Sequence, residues 1–269
     1  MSDKRPIGVF DSGLGGLTVV KELMRVLPNE KIVYFGDTSR VPYGNKSRNT
    51  IRKYAIQDEK FLLSHDVKMI IAACGTVSSV AEDTAELLPV PFVEVVSHAA
   101  LAAVKASKLK KIGVIGTTAT IKSEAHKKII LSACPEATVV VNDCPLFVPL
   151  VEEGIVAADD IIALEAAKRY LKPMLDAGVD TLILGCTHYP VLSKVIRKIM
   201  GDSVALINMG EATAEYAKEY LAKHGMLSEE CSFENEYFVS DKSDSFSFMA
   251  RVLLGCEDIS ATQVDIDAL

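Results

Sequence analysis

Apolar residues along this chain fall into two rhythms: short unbroken runs, and longer stretches with a three-to-four-residue spacing. Ile7-Gly8-Val9-Phe10 is the first run. Leu17, Val20, Leu23, Met24 and Leu27 then mark one stripe of a helix predicted from about Leu14 to Val26. Ile32-Val33-Tyr34-Phe35 follows, then a turn signal at Pro42-Tyr43-Gly44 and a helix from about Ser47 to His65. Met69-Ile70-Ile71-Ala72 leads through Cys74 into a helix predicted to reach Leu88, and Pro91 to Val95 closes the set. A similar cycle starts at Lys111-Ile112-Gly113-Val114-Ile115-Gly116, which feeds a helix near Thr120. Thr138 to Val141, a long helix from about Ala158 to Ala177, Thr181 to Leu184 and Val204 to Ile207 complete it. Strands that are apolar throughout, rather than alternating, are covered on both faces, which predicts parallel sheets in an α/β protein.

The two cycles look alike. Ile7-Gly8-Val9-Phe10-Asp11-Ser12-Gly13 overlays Ile112-Gly113-Val114-Ile115-Gly116-Thr117-Thr118, and the cassettes around Cys74 and Cys186 repeat at nearly the same offset. Two related α/β halves account for this, and so does convergent strand-turn chemistry. From Met209 onward come two helical patterns and one strand, Tyr237-Phe238-Val239, expected to return to the first half. The predicted division is residues 1–97 plus 208–269, and residues 98–207.

Composition narrows the class. The 269 residues, 49% hydrophobic and 24% charged, suit a globular protein of one large or two modest domains. No apolar run approaches the roughly twenty residues of a membrane span. Met1 to Pro6 leads straight into the first strand without a signal-peptide stretch, so a cytoplasmic protein is expected. A net charge of −7, no Trp and no basic stripe argue against nucleic acid. The six cysteines, at 74, 134, 144, 186, 231 and 256, form no CxxC pair and no Cys/His comb, so free thiols and no metal are expected.

The chemistry concentrates in two cassettes, Ala73-Cys74-Gly75-Thr76 and Gly185-Cys186-Thr187-His188, each between an apolar strand and a helix start. That position faces the crevice where open α/β sheets bind ligands. One such cysteine alone reads as buried structure; two in matching cassettes read as a pair of thiols facing one small molecule. Asp11-Ser12-Gly13-Leu14-Gly15-Gly16 is a Gly-rich turn, open to a tight turn without ligand or a dinucleotide site with Asp37 as the ribose acid. The spacing fails the dinucleotide fingerprint, since Thr18 stands where its last glycine belongs, and there is no P-loop ending. Asp11 is better read as a carboxylate tuning a nearby proton-transfer group. His188, before Tyr189-Pro190, is placed to relay a proton or merely to cap. Glu152 and Glu153 follow an apolar approach and point either into the site or into water. His65, His98, His126 and His224 are assigned no chemistry.

Taken together, these strings resemble the glutamate racemases of the aspartate/glutamate racemase family, over nearly the whole chain; Gly185-Cys186-Thr187-His188-Tyr189-Pro190 is the most specific. Aspartate racemases tend to carry Glu where His188 stands. The resemblance implies two flavodoxin-like parallel-sheet domains related by pseudo-symmetry, with the active site between them. It implies a cofactor-independent isomerase that supplies D-glutamate for peptidoglycan. Cys74 and Cys186 would be the acid/base thiols, with Asp11 supporting the first and His188 the second, and Glu152 an acid near the site. Substrate contacts would come from Asp11, Ser12, Pro42, Tyr43 and Gly44, from Cys74, Gly75, Thr76 and Thr118, and from Cys186, Thr187 and His188. Homodimerisation stays open. Two positions depart from the family pattern: Gly75 replaces the usual Asn, and Asn208-Met209 falls where Asp-Ser is common. Racemisation of aspartate, a single-thiol decarboxylase and an amino-acid-binding module with idle thiols are the competing readings.

Overall fold

The computed structural model describes residues 3–229, 234–241, 245–255 and 259–268. Cys231 and Cys256 lie outside the described residues; Cys74, Cys134, Cys144 and Cys186 are buried free thiols. The strands are β1 (Ile7–Asp11), β2 (Ile32–Gly36), β3 (Met69–Ala72), β4 (Phe92–Glu94), β5 (Lys111–Gly116), β6 (Thr138–Asp143), β7 (Thr181–Gly185), β8 (Ala205–Asn208), β9 (Glu236–Val239) and β10 (Thr262–Gln263). The helices are α1 (Leu17–Val26), α2 (Arg48–Leu63), α3 (Gly75–Val80), α4 (Val95–Ala106), α5 (Thr118–Ser123), α6 (Ala125–Ala133), α7 (Phe147–Glu152), α8 (Ile161–Ala177), α9 (Ser193–Met200), α10 (Met209–Lys223) and α11 (Ser245–Leu254). No described helix is long and apolar enough to cross a membrane.

Two parallel sheets form, one ordered β10-β9-β2-β1-β3-β4 and the other β6-β5-β7-β8. Numbered within its own half, each contains the order 2-1-3-4, the pseudo-symmetry expected of two flavodoxin-like units. The unbroken apolar runs have the predicted cause. Along β1 and β2, Ile7, Val9, Ile32 and Tyr34 face one core, while Phe10, Val33 and Phe35 face another. The first core is continuous with the second sheet, and α10 packs against both α1 and α4 within it. The second core lies under α2 and the buried Ile266 of the chain's end. β9 pairs with β2.

Three helix boundaries differ from the periodicity. α1 starts at Leu17, because Gly13 and Gly16 turn their N–H groups onto Asp11. The stretch after Cys74 divides into α3 and a 3₁₀ turn over Glu82–Leu87. Ser78 and Ser79 hydroxyls there bond back to the carbonyls of Cys74 and Gly75, competing with the helix ladder. Glu124, in the left-handed region at φ 57°, separates α5 from α6. The strand predicted to reach Val95 stops at Glu94, whose carboxylate caps α4 through the N–H groups of Val96 and Ser97.

A fully buried ion pair locks the end of the molecule remote from the cysteines. Lys68 Nζ lies 2.6 Å from Glu30 Oε2, with exposures of 0% and 1%. The ammonium also donates to the carbonyls of Asp3 and Met226, and Glu30 accepts from Ser228 N–H. Lys68→Ala strands a buried carboxylate and lowers stability by about 3–5 kcal/mol in urea unfolding, whereas Lys68→Met with Glu30→Leu costs far less.

Candidate active site

In both sheets strand order reverses at the third strand, so the carboxyl ends of β1 and β3, and of β5 and β7, open onto a crevice. The two crevices face each other around one cavity of about 760 Å³. Ser12, Pro42, Tyr43, Gly44, Cys74, Gly75 and Thr76 line it from the first half; Thr118, Glu152, Cys186, Thr187 and His188 line it from the second. Asp11 sits behind this lining, 1% exposed. Glu153 is exposed and is not part of the lining.

The halves are stitched together beside the cysteines. Thr18 Oγ1 donates to the Thr187 carbonyl at 2.8 Å, and Thr76 and Thr117 hydroxyls meet at 3.2 Å. Thr18, the residue that breaks the dinucleotide fingerprint, is thus a bridge between halves. A Cβ on Gly15 would stand 2.4 Å from His188 Nδ1, so only glycine lets this turn lie against the imidazole. At Gly75 a Cβ would stand 2.9 Å from the Gly185 carbonyl oxygen and 3.4 Å from Met209 Cε. The two departures from the family pattern are therefore neighbours: the Met209 methyl occupies space beside the position where a side chain at 75 would begin.

The electrostatics of the two thiols are opposite. Cys74 N-caps α3, and its Sγ donates to Ser12 Oγ at 3.4 Å. Burial, then the charge of Asp11, pushes this thiol up to about 12, so it holds its proton. Asp11 Oδ2 accepts from Gly13 N–H at 3.1 Å and Gly16 N–H at 3.0 Å, while Oδ1 is buried without a hydrogen-bond partner. Burial raises the Asp11 carboxyl; the nearby His188 and the backbone amides of Gly16, Gly13 and Ser12 oppose that shift.

On the other side Cys186 Sγ lies 3.8 Å from His188 Nδ1. His188 Nε2 lies 3.4 Å from Glu152 Oε1, an ion-pair contact without hydrogen-bond alignment. Burial alone would lower the imidazole, but Cys186, Glu152 and Asp11 outweigh it and push His188 up to about 10. One sulfur therefore has an anionic neighbour and the other a cationic one.

Several lining residues lay outside the sequence-based set. Cys144 follows β6 and borders the cavity; burial, then the charges of Asp143 and Cys186, raises its thiol. Lys46 and Lys122 also line the cavity, one from each half. Lys46 lies two residues beyond Pro42-Tyr43-Gly44, but nothing in the sequence separates it from other surface lysines. Thr118, a predicted contact, already donates to Asp143 Oδ2 at 2.6 Å.

The fold thus sets two switch-point crevices, with one buried thiol in each, around a single cavity. Residues 7–217 match the model of the Asp/Glu/hydantoin racemase family. The chain is 42% identical over 266 residues to a glutamate racemase of Geobacter metallireducens, covering 98% of both. The crystal structure of glutamate racemase from Francisella tularensis in complex with D-glutamate superposes with a TM-score of 0.91 at 40% identity, covering 99% of this chain and 100% of that one. That of the Thermus thermophilus enzyme in complex with beta-chloro-D-alanine gives 0.88 at 42% identity, with 100% of both chains covered. The chain belongs to the Asp/Glu/hydantoin racemase family and is an amino-acid racemase.

The raised His188 has a measurable sign. Its stabilising contribution is full below the unfolded value of about 6.5 and is lost as pH rises through about 10. The stability difference between the wild type and His188→Asn is expected to be widest near pH 6 and to shrink toward pH 10 in urea titrations. Imidazole ¹⁵N shifts should report a protonated His188 at pH 8.

Proposed function

We propose that the chain interconverts L- and D-glutamate by proton transfer between carbon and two sulfurs. The observation that carries this reading is the pair of thiols, one from each half, on a single cavity with opposite electrostatic surroundings. One sulfur, as thiolate, takes the Cα proton; the other, as thiol, delivers its proton to the opposite face of the carbanion. The substrate is inverted, and the sulfurs exchange protonation states. Cys74, which holds its proton in the resting protein, is the donor in that state, and Cys186 beside the His188 cation is the base. Return transfer through His188 and Asp11 resets the pair.

Glutamate fits the lining. Lys46 and Lys122 offer positive charge to its two carboxylates, and backbone N–H groups around Gly75 and Ser12 take up charge that develops on the α-carboxylate. The relatives are glutamate racemases, and the Francisella tularensis structure carries D-glutamate. By the same analogy Cys186 deprotonates the L-enantiomer and Cys74 the D-enantiomer, and the product enters peptidoglycan synthesis in the cytoplasm. The two sheets would belong to two domains, residues 1–97 plus 208–269 and residues 98–207.

Incubation with L-glutamate in ²H₂O tests the reading: NMR should show deuterium entering Cα as D-glutamate appears by circular dichroism. Cys74→Ala and Cys186→Ala should each lower racemisation by roughly 10²- to 10⁴-fold. Binding of glutamate without Cα exchange would identify a binding module, and faster inversion of aspartate would reassign the substrate.

A further inference from the structure

Outside the cavity lining, and joined to it through Tyr43, lies a buried ionic cluster that the proposed proton transfers do not use. Asp37 and Asp58 are both 0% exposed and share one guanidinium, that of Arg40, itself 9% exposed. Arg40 Nε donates to Asp37 Oδ2 at 2.6 Å, Nη2 to Asp58 Oδ1 at 3.1 Å and Nη1 to Gln57 Oε1 at 2.6 Å. Its guanidinium carbon stands 4.1 Å over the Tyr54 ring. Ser240 Oγ, just past β9, donates to Asp37 Oδ1 at 2.8 Å.

Tyr43 joins this cluster to the cavity wall. Its hydroxyl donates to Asp37 Oδ2 in a short hydrogen bond and lies 3.2 Å from Asp58 Oδ2. A phenol carries a single hydrogen, so both contacts are attractive only if one carboxyl supplies a proton of its own; both Asp37 oxygens already accept, from Arg40 and Ser240, which leaves that proton to Asp58. With that proton the buried part of the cluster holds one anion and one cation, Asp267 reaching Arg40 Nη1 at 3.7 Å only from the solvent side; without it, a second carboxylate is buried against the same guanidinium. Burial and the charge of Asp37 both hold the Asp58 carboxyl well above the usual carboxylate range, against Arg40. Glu59, the next acid on α2, is raised to about 7 by burial and adds to the pressure on Asp58.

We propose that Asp58, with Asp37 and Arg40, is a positioning group for the reaction: as a neutral acid it clamps Tyr43 and so fixes the Val41–Lys46 wall opposite the thiols. Val41, Pro42, Tyr43, Gly44, Asn45 and Lys46 all border the cavity, and Gly44 lies against Thr117 of the other half. The wall's placement thus depends on a carboxylic acid in α2 that touches neither substrate nor sulfur. The catalytic part of the inference rests on the glutamate reading above; the clamp itself does not.

Tyr43→Phe, Asp58→Ala and Asp58→Asn in the full chain separate the two. An asparagine keeps an oxygen for Arg40 and a neutral donor for Tyr43, so it reproduces the acid's proposed state. Amide hydrogen exchange of the 38–46 segment is expected to quicken in Tyr43→Phe and Asp58→Ala, and to return to the wild-type rate in Asp58→Asn. KM for glutamate is expected to rise roughly tenfold in the first two, with kcat changed less than threefold, and to recover in Asp58→Asn. Should Asp58→Ala fail to fold, Tyr43→Phe and Asp58→Asn carry the comparison. Exchange in Asp58→Asn as fast as in Tyr43→Phe, or unchanged exchange in Tyr43→Phe, overturns the clamp. A wild type that does not racemise glutamate removes the catalytic reading while leaving the exchange comparison decisive.

Discussion

Close contact between the carboxyl ends of two separate sheets is the constraint on which the site depends, at Gly15 against His188 and where α3 begins beside the Gly185 carbonyl. Each half supplies one sulfur at the end of its third strand. In the proposed reaction each sulfur needs the other across the same carbon atom. Strand ends are stiff, since every residue of β3 and β7 is buried and hydrogen-bonded to neighbours in register. Holding two such ends in contact therefore fixes the thiols without long loops. Thr18, Thr76 and Thr117 add polar ties across the seam at the places where small residues leave backbone exposed to the other half.

Within that frame, burial does the tuning. A carboxylate or thiol removed from water loses most of its solvation, so neighbouring charges act on it with little screening. Asp11 acts on both sides of the site: it raises Cys74 and helps to keep His188 charged. The same Coulomb law would make the chain's net charge of −7 unfavourable for an anionic ligand, yet distant surface charges are screened over about 8–10 Å. His188, Lys46 and Lys122 set the local field instead.

Much of this was legible in the sequence because it is local. An unbroken apolar strand followed by Cys, Thr and a helix start is a contiguous signature, so both cassettes and the parallel-sheet class were visible. The repeated strings left related halves and convergence both open, and the matching strand order appears only in the fold. What escaped was contact between distant positions. Gly75 and Met209 were noted as separate oddities, and only the fold shows that they touch. Asp58 sits inside an ordinary-looking helix, and its role appears only when Asp37, Arg40 and Tyr43 fold back over α2. Helix lengths failed where serine hydroxyls at 78 and 79 and the left-handed Glu124 intervened, effects that periodicity does not register.

The unlike surroundings of the two sulfurs have a consequence outside structure. Mirror-image amino acids have equal free energy in water, so their equilibrium constant is unity whatever the catalyst. The quotient of kcat and KM must then be the same for both enantiomers. An aspartate behind one sulfur and an imidazolium beside the other cannot favour either direction at equilibrium; the enantiomer that turns over faster has the larger KM in the same proportion. Chemical inequality between the halves is thereby confined to kinetics, and the fold is free to drift away from exact twofold symmetry.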